Sequence, residues 1–380
     1  MIYLDNAATS WPKPEIVYQT MDRFLREKGG NPGHGSHSLA EAARQTVDET
    51  RMLTARFINA PGIERIVFTL NCTDSINMGL KGFLKPGDHV IISGMEHNAV
   101  IHPLSKLIWQ GVKATRIPVS GTDGITRAED IEKAITPMTR MILINHASNV
   151  NGLLQPVEEY GQVARRHNLI FMVDAAQSAG HVPIDVQAAN IDLLAFSAHK
   201  GMLGPPGVGV LYIGPRVDLD TTREGGTGTF SESEDQPEVM PHRFESGTLN
   251  TSGIAGFGAG LKFIRETGLE RIIAHENMLI TMLKKELSKV PGVDLFYTIE
   301  ESRQLPVLSF NINEHAPGEV GVILDQIFDI KVRTGLHCSP VAHKSLRTFP
   351  SGTVRVSPGF FNTVEDMEMT IEAIKKIAIS

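Results

Sequence analysis

Residues 191–209 read IDLLAFSAHKGMLGPPGVG, a short apolar run ending in Ser-Ala-His-Lys, then a loop rich in glycine and proline. Burial opposes the charged form of a lysine. It also frees the amine's lone pair, so a lysine at the mouth of a buried strand can condense with an aldehyde to a Schiff base. Other apolar runs end in groups that suit the same chemistry. LIFMVDAAQ brings Asp174 and Gln177, MILINHASN brings Asn149, and HVIISGMEHN brings His97. IVFTLNCTDS turns at Cys72 and Thr73, and the lysine's own segment adds Ser197 and His199.

Taken singly, these residues have plainer readings. A lysine after a strand is ordinarily solvated. An aspartate there can cap a helix, and asparagine and threonine are common turn residues. Together, at successive strand ends, they suit pyridoxal 5′-phosphate. Lys200 would carry it, and Asp174 would keep the pyridine nitrogen protonated so that the ring accepts electrons. His97 would stack on the ring. The helix start at 72–75, with Ser197 and His199, would seat the phosphate.

Positioning these groups calls for a particular architecture. RIVFTL, HVIISG, MILINHA and LIFMVDAA read as buried strands, separated by helical stretches such as 158–168. That alternation gives an α/β fold, a parallel sheet flanked by helices. GVGVLYIG follows Lys200 so closely that it is expected to pair antiparallel with its neighbour. Residues 215–247 read as a long loop, and helical periodicity resumes at 253–268. A further helix follows, with Ile272, Ile273, Leu279, Ile280, Leu283 and Leu287 on one face. LPVLSFNI, a helix near 317–328, TVRVS and a last helix from about 363 make a smaller α+β unit. The expected division is a large domain over 16–255 and a small one over 256–380, joined by the N-terminal segment 1–15.

Composition narrows the function. The chain of 380 residues is 41% hydrophobic, enough for a sizeable core. A net charge of −7 gives no basic face for nucleic acid. No apolar run reaches the length that spans a bilayer. MIYLDNAATS has neither a basic head nor an apolar core, so a cytoplasmic location is expected. The two cysteines, Cys72 and Cys338, cannot by themselves close a structural zinc site, and no metal is expected.

AFSAHKGMLGPPGVGVLYIG resembles the cofactor-lysine segment of the class V aminotransferases. YLDNAATSWPKP, MEHNA, SNVNG, VDAAQSAGH, ESGTLNT and RTGLHC each resemble a segment of that family, in its order and over nearly the whole chain. The likeness is to the cysteine desulfurases, with selenocysteine lyase a near relation. It implies an aspartate aminotransferase-like fold with a sheet of seven-stranded type. It implies that Gln177 meets the ring's phenolic oxygen and that His97 also assists proton transfer. Thr73, Ser197, His199 and the Cys72 backbone would hold the phosphate, where the family commonly has threonine at the cysteine's place. Thr248 would reach the phosphate of a partner subunit in a homodimer. Asn149, Arg355 and Ala7 would hold the substrate, and a guanidinium fork independently suits its carboxylate.

Cys338 lies in KVRTGLHCSPVAHKSLRTFPSGTVRVS, and the residues after it read as a loop. The resemblance makes it the catalytic nucleophile, with His337 and Arg333 as nearby groups able to favour a thiolate. The implied reaction converts L-cysteine to L-alanine and leaves a persulfide on Cys338 for a sulfur-acceptor protein. L-selenocysteine as substrate, or another aminotransferase or β-lyase reaction, are the alternatives.

Overall fold

Apolar, β-branched runs form strands buried on both faces, and amphipathic stretches cover them as helices. The computed structural model describes residues 1–33, 35–119, 124–229, 232–297 and 301–379. The chain begins β1 (Ile2–Tyr3), α1 (Glu15–Glu27), α2 (Ser38–Phe57), β2 (Ile66–Thr69), α3 (Cys72–Phe83), β3 (His89–Ser93), α4 (Asn98–Trp109) and β4 (Lys113–Ile117). It continues α5 (Ala128–Lys133), β5 (Thr139–Asn145), α6 (Val157–Arg166), β6 (Ile170–Asp174), β7 (Leu193–Ser197) and β8 (Gly209–Ile213). After these come α7 (Thr251–Thr267), α8 (Leu269–Leu287), β9 (Val293–Phe296), β10 (Leu308–Ile312) and α9 (Pro317–Phe328). The last elements are β11 (Ile330–Lys331), β12 (Arg333–Gly335), α10 (Pro340–Ser345), β13 (Thr353–Val356) and α11 (Val364–Ala378).

Seven strands form the main sheet, in the order β2-β8-β7-β6-β5-β3-β4. From β7 to β4 every pairing is parallel. Only β8 runs against its neighbours β7 and β2, as its short connection from Lys200 requires. Alternate residues feed opposite faces. Phe171 and Val173 join α2, α6 and α7 in one core, whereas Ile170 and Met172 join α3 and α4 in the other. β4 was not foreseen because it is an edge strand whose Lys113 and Arg116 are exposed.

A third core gathers α8, α9, α11 and the antiparallel sheet β12-β13-β10-β9. β1 pairs in parallel with β11, so the N-terminal segment is anchored here rather than on the large sheet. The loop foreseen over 215–247 has no helix or strand among the described residues; residues 230 and 231 lie outside them. The stretch after Cys338 was expected to be a loop and instead forms α10, entered by Pro340 at its first turn.

One buried ion pair fixes the end of that long loop. Both terminal nitrogens of Arg51 meet the Glu245 carboxylate, at 2.8 and 2.9 Å. Glu245 also accepts the Phe68 N–H of β2 at 2.7 Å. Truncating one member would leave the other as a buried, uncompensated charge. Glu245→Ala is therefore expected to cost about 3–5 kcal/mol in denaturant unfolding, and the paired change Arg51→Met/Glu245→Leu much less.

Candidate active site

The strand-end residues converge as the parallel topology demands, at the carboxyl edge of the sheet. A cavity of about 320 Å³ is lined by Cys72, Thr73, His97, Asn149, Asp174, Gln177, Ser197, His199 and Lys200. A second cavity of similar size, about 330 Å³, is lined by Arg44, Arg51, Gly226 and Thr248 among others. Thr248 is exposed there and does not join the Lys200 group within this chain.

Lys200 leaves β7 through a turn packed tightly on its surroundings. A Cβ on Gly180, which sits at φ +90°, would come within 2.2 Å of the Gly201 backbone. Lys200 is half-buried, and desolvation pulls its amine below the ordinary lysine value, against the opposing pull of Cys72 and Asp174. Asp174 is buried at the end of β6, and burial pushes its carboxyl up. The Ala176 N–H at 2.9 Å and the Cys72 thiol at 3.4 Å donate to Oδ1 and act the other way.

His97 caps α4, its Nδ1 accepting the Ala99 N–H at 3.0 Å. Burial first, then the charge of Lys200, holds its pKa down to about 3, so the ring is neutral near pH 7 with its proton on Nε2. His199 is likewise held down to about 4 by burial. At the helix start, Asn71 takes the Asp74 N–H, and the Cys72 N–H donates to Ser197 Oγ at 2.8 Å. Cys72 thus spends its amide on Ser197 and turns its sulfur to Asp174. Gln177 donates through Nε2 to the Ala7 carbonyl at 2.9 Å, which brings Ala7 to the site through its backbone.

Arg355 is buried in β13. Its Nη1 donates to the Asn149 carbonyl at 3.0 Å and its Nη2 meets Asp5 at 2.6 Å, while its buried Nε has no partner among the described residues. The Asn149 amide, expected at the substrate, is engaged elsewhere. Nδ2 donates to the His337 carbonyl and Oδ1 accepts the Ser339 hydroxyl, both at 2.7 Å. The same turn sets the Cys338 backbone against the start of α4, its carbonyl accepting the Asn98 N–H at 2.8 Å, while Cys338 itself does not line the cavity. Arg333 Nη2 lies 3.3 Å from the Cys338 sulfur. His337, expected as a second cation there, is uncharged. Burial and the Arg355 charge push its pKa down to about 2, and it is neutral against Thr353.

Sequence reading missed Lys13. It is buried, and its Nζ reaches only Ser10 Oγ at 2.7 Å and the His199 carbonyl at 3.0 Å among the described residues. Its signal was the lysine inside YLDNAATSWPKP, passed over because its partner is a distant backbone oxygen. Asp5 and Glu96 were also missed. Glu96 is buried beside the site and pushed up to about 8 by desolvation.

A Schiff-base cofactor fits these side chains: an amine shifted toward its neutral form, a buried carboxyl and a neutral imidazole face one cavity, with a helix start at its rim. The chain belongs to the class-V aminotransferase family, whose model matches residues 2–369. Members of this family depend on pyridoxal 5′-phosphate. A probable cysteine desulfurase of Methanothermobacter thermautotrophicus is 36% identical over 383 residues, covering 99% of this chain and 94% of the relative. The apo structure of the cysteine desulfurase from Thermococcus onnurineus superimposes with a TM-score of 0.92 at 34% identity, covering 100% of this chain and 94% of that one. The Escherichia coli cysteine desulfurase CsdA, in an S-sulfonic acid form, gives 0.88 at 29% identity over 98% and 94%. No helix among the described residues is long and apolar enough to cross a membrane.

Two measurements check this electrostatic picture. Cys338 is exposed, whereas Cys72 is buried with its thiol pushed up by burial. Iodoacetamide is expected to label Cys338 alone in the folded protein and both cysteines after denaturation, as read by peptide mass spectrometry. Burial holds the Lys13 pKa down to about 7, from an ordinary value of 10.5. Between those values the unfolded chain binds more protons, so Lys13 makes stability rise with pH across the window and fall as pH drops toward 7. Lys13→Met is expected to remove that slope from the denaturation midpoint, measured from pH 7 to 10.

Proposed function

We propose that this protein is a cysteine desulfurase that uses pyridoxal 5′-phosphate and leaves the sulfur of L-cysteine on Cys338. The observation that supports this reading is a cavity lined by Lys200, Asp174 and His97, with the turn that carries Cys338 hydrogen-bonded to Asn149 of the same lining. Bound there, the cofactor would supply an electron sink that lets the substrate's α-proton leave and its carbon–sulfur bond break.

The residues divide the work. Lys200 would hold the aldehyde, and its amine, once released by substrate, is the base placed to move the α-proton. Asp174 would hold a proton on the ring nitrogen, with Gln177 at the ring's oxygen. The neutral His97 offers a flat face for stacking, and its Nε2–H can donate a hydrogen bond. Thr73, Ser197, His199 and the helix start at Cys72 would hold the phosphate. Arg355 has an unpartnered Nε for a carboxylate, beside Asn149 and Ala7.

Sulfur transfer then balances simply. The Cys338 thiolate attacks the substrate sulfur, the new S–S bond forms, and the carbon–sulfur bond breaks with its electron pair passing to carbon. That carbon takes a proton to give alanine, and Cys338 keeps a persulfide. An acceptor protein, or two equivalents of an external thiol, then takes the sulfur. The exposed Thr248, remote from this chain's Lys200, supports a homodimer in which it serves the partner's phosphate. The two-domain division belongs to the same proposal. We move its junction from the expected 255/256 to Gly268, because α7 packs on α1 and α2 while α8 packs on α11.

The test is product analysis with L-cysteine and a thiol reductant. Alanine and sulfide are expected in equal amounts. Cys338→Ser should lose alanine formation from cysteine by at least about 10²-fold while keeping the visible absorbance of the cofactor. Arg355→Ala should raise KM by about 10–10²-fold through the lost charged hydrogen bonds. Pyruvate with ammonia, or a keto acid, would indicate another reaction on the same fold. A kcat/KM far higher for L-selenocysteine, retained in Cys338→Ser, would make the protein a selenocysteine lyase.

A further inference from the structure

Cys338 combines two features that ordinarily conflict. Its side chain is exposed, yet its neighbours His337 and Ser339 are buried, at 3% and 0% of their surface. Both His337 and Cys338 have left-handed backbones, at φ +48° and +58°, which side chains with a Cβ adopt reluctantly. A turn of this shape needs contacts that hold it. The Ser339 N–H closes the turn on the Leu336 carbonyl at 2.8 Å, and the Asn98 N–H takes the Cys338 carbonyl. One side chain from another part of the fold grips it on both sides. Asn149 donates to the carbonyl before Cys338 and accepts from the hydroxyl after it, each at 2.7 Å.

We propose that Asn149 is a positioning residue for Cys338: its carboxamide clasps both flanks of the cysteine and fixes the exposed sulfur beside the Lys200 cavity. This rests on the reading of Cys338 as the sulfur nucleophile. It gives Asn149 a second task beside the one the family resemblance implies, contact with the substrate. Each bond uses one of the two Nδ2 hydrogens and one lone pair of Oδ1, so the second Nδ2–H remains available to a substrate carboxylate. A single carboxamide suits the task because it presents donors and an acceptor on one rigid plane.

The experiment uses the holoenzyme in a single turnover. Absorbance reports substrate docking, and quenched peptide mass spectrometry reports persulfide on Cys338. At saturating L-cysteine, where any loss of docking is offset, Asn149→Ala should form persulfide about 10²-fold more slowly, the cost of a nucleophile displaced by about an ångström. In the apo protein, iodoacetamide should label Cys338 several-fold faster, and amide hydrogen exchange over 336–340 should accelerate. Ser339→Ala and Asn149→Asp each remove one side of the clasp and should fall between. They also test it if Asn149→Ala does not fold. Persulfide formation and alkylation both within twofold of wild type would overturn the proposal. So would a defect confined to docking, which returns Asn149 to the substrate carboxylate. If wild type forms no persulfide, the desulfurase reading fails, and the alkylation and exchange measurements still decide whether the clasp exists.

Discussion

An amine and a carboxyl facing one cavity set the terms for everything around them. Desolvation pulls the proton affinity of Lys200 down and that of Asp174 up, so each moves toward its neutral form. Neither group would sit there for stability. Both are held by adjoining strands whose burial on two faces leaves no other exit for their polar ends. Asp174 lies opposite Ala195 in the parallel β6–β7 pair, and Lys200 follows that strand directly. The Cys72 thiol completes the arrangement. Too well buried to ionise, it donates to the carboxylate and opposes the rise that burial imposes.

The N-terminal segment ties this sheet edge to the smaller unit. It starts in β1 on β11, places Asp5 on Arg355, and gives the Ala7 carbonyl to Gln177. It then sets Thr9, Ser10 and Lys13 around the His199 carbonyl. That carbonyl belongs to the peptide from which Lys200 departs. Groups that would grip substrate, cofactor ring and cofactor amine are therefore linked through nine consecutive residues, 5–13. Lys13, buried without a carboxylate partner, is tolerable here because Ser10 of the segment and the His199 carbonyl give it two oxygen acceptors.

Features governed by local pattern were legible in the sequence. Apolar runs marked β2, β3, β5, β6 and β7, and the polar residue ending each run marked the cavity. The short connection after Lys200 foretold the antiparallel β8. Features decided by distant partners were not legible. Asn149 meets Cys338's neighbours from 188 and 190 positions away, and no local pattern reports such a contact. His337 reads as a cation beside a thiol until burial makes it neutral. The glycine and prolines after Cys338 suggested a loop, but Pro340 starts a helix and Pro350 falls beyond its end. β4 hid behind the charges that protect an edge.

The Cys338 turn shows why such contacts escape a linear reading. In the reaction proposed above, the Cys338 sulfur would reach into a cavity and also meet an acceptor outside it, and would so have to stand in solvent. An exposed side chain on a free loop would sample many positions, and attack geometry would suffer. The fold separates the two demands between neighbouring residues. His337 and Ser339 are sunk into the protein, and the left-handed backbone throws the residue between them outward. Holding two such conformations costs about 1–3 kcal/mol each, so the anchors must exceed that cost. Two short hydrogen bonds from Asn149, with those from Asn98 and Thr353, are the available source. Arg333 then stands against the sulfur, offering a positive charge without enclosing it. Exposure of the Cys338 sulfur and anchoring of its backbone thus come from different residues, which is what allows both at once.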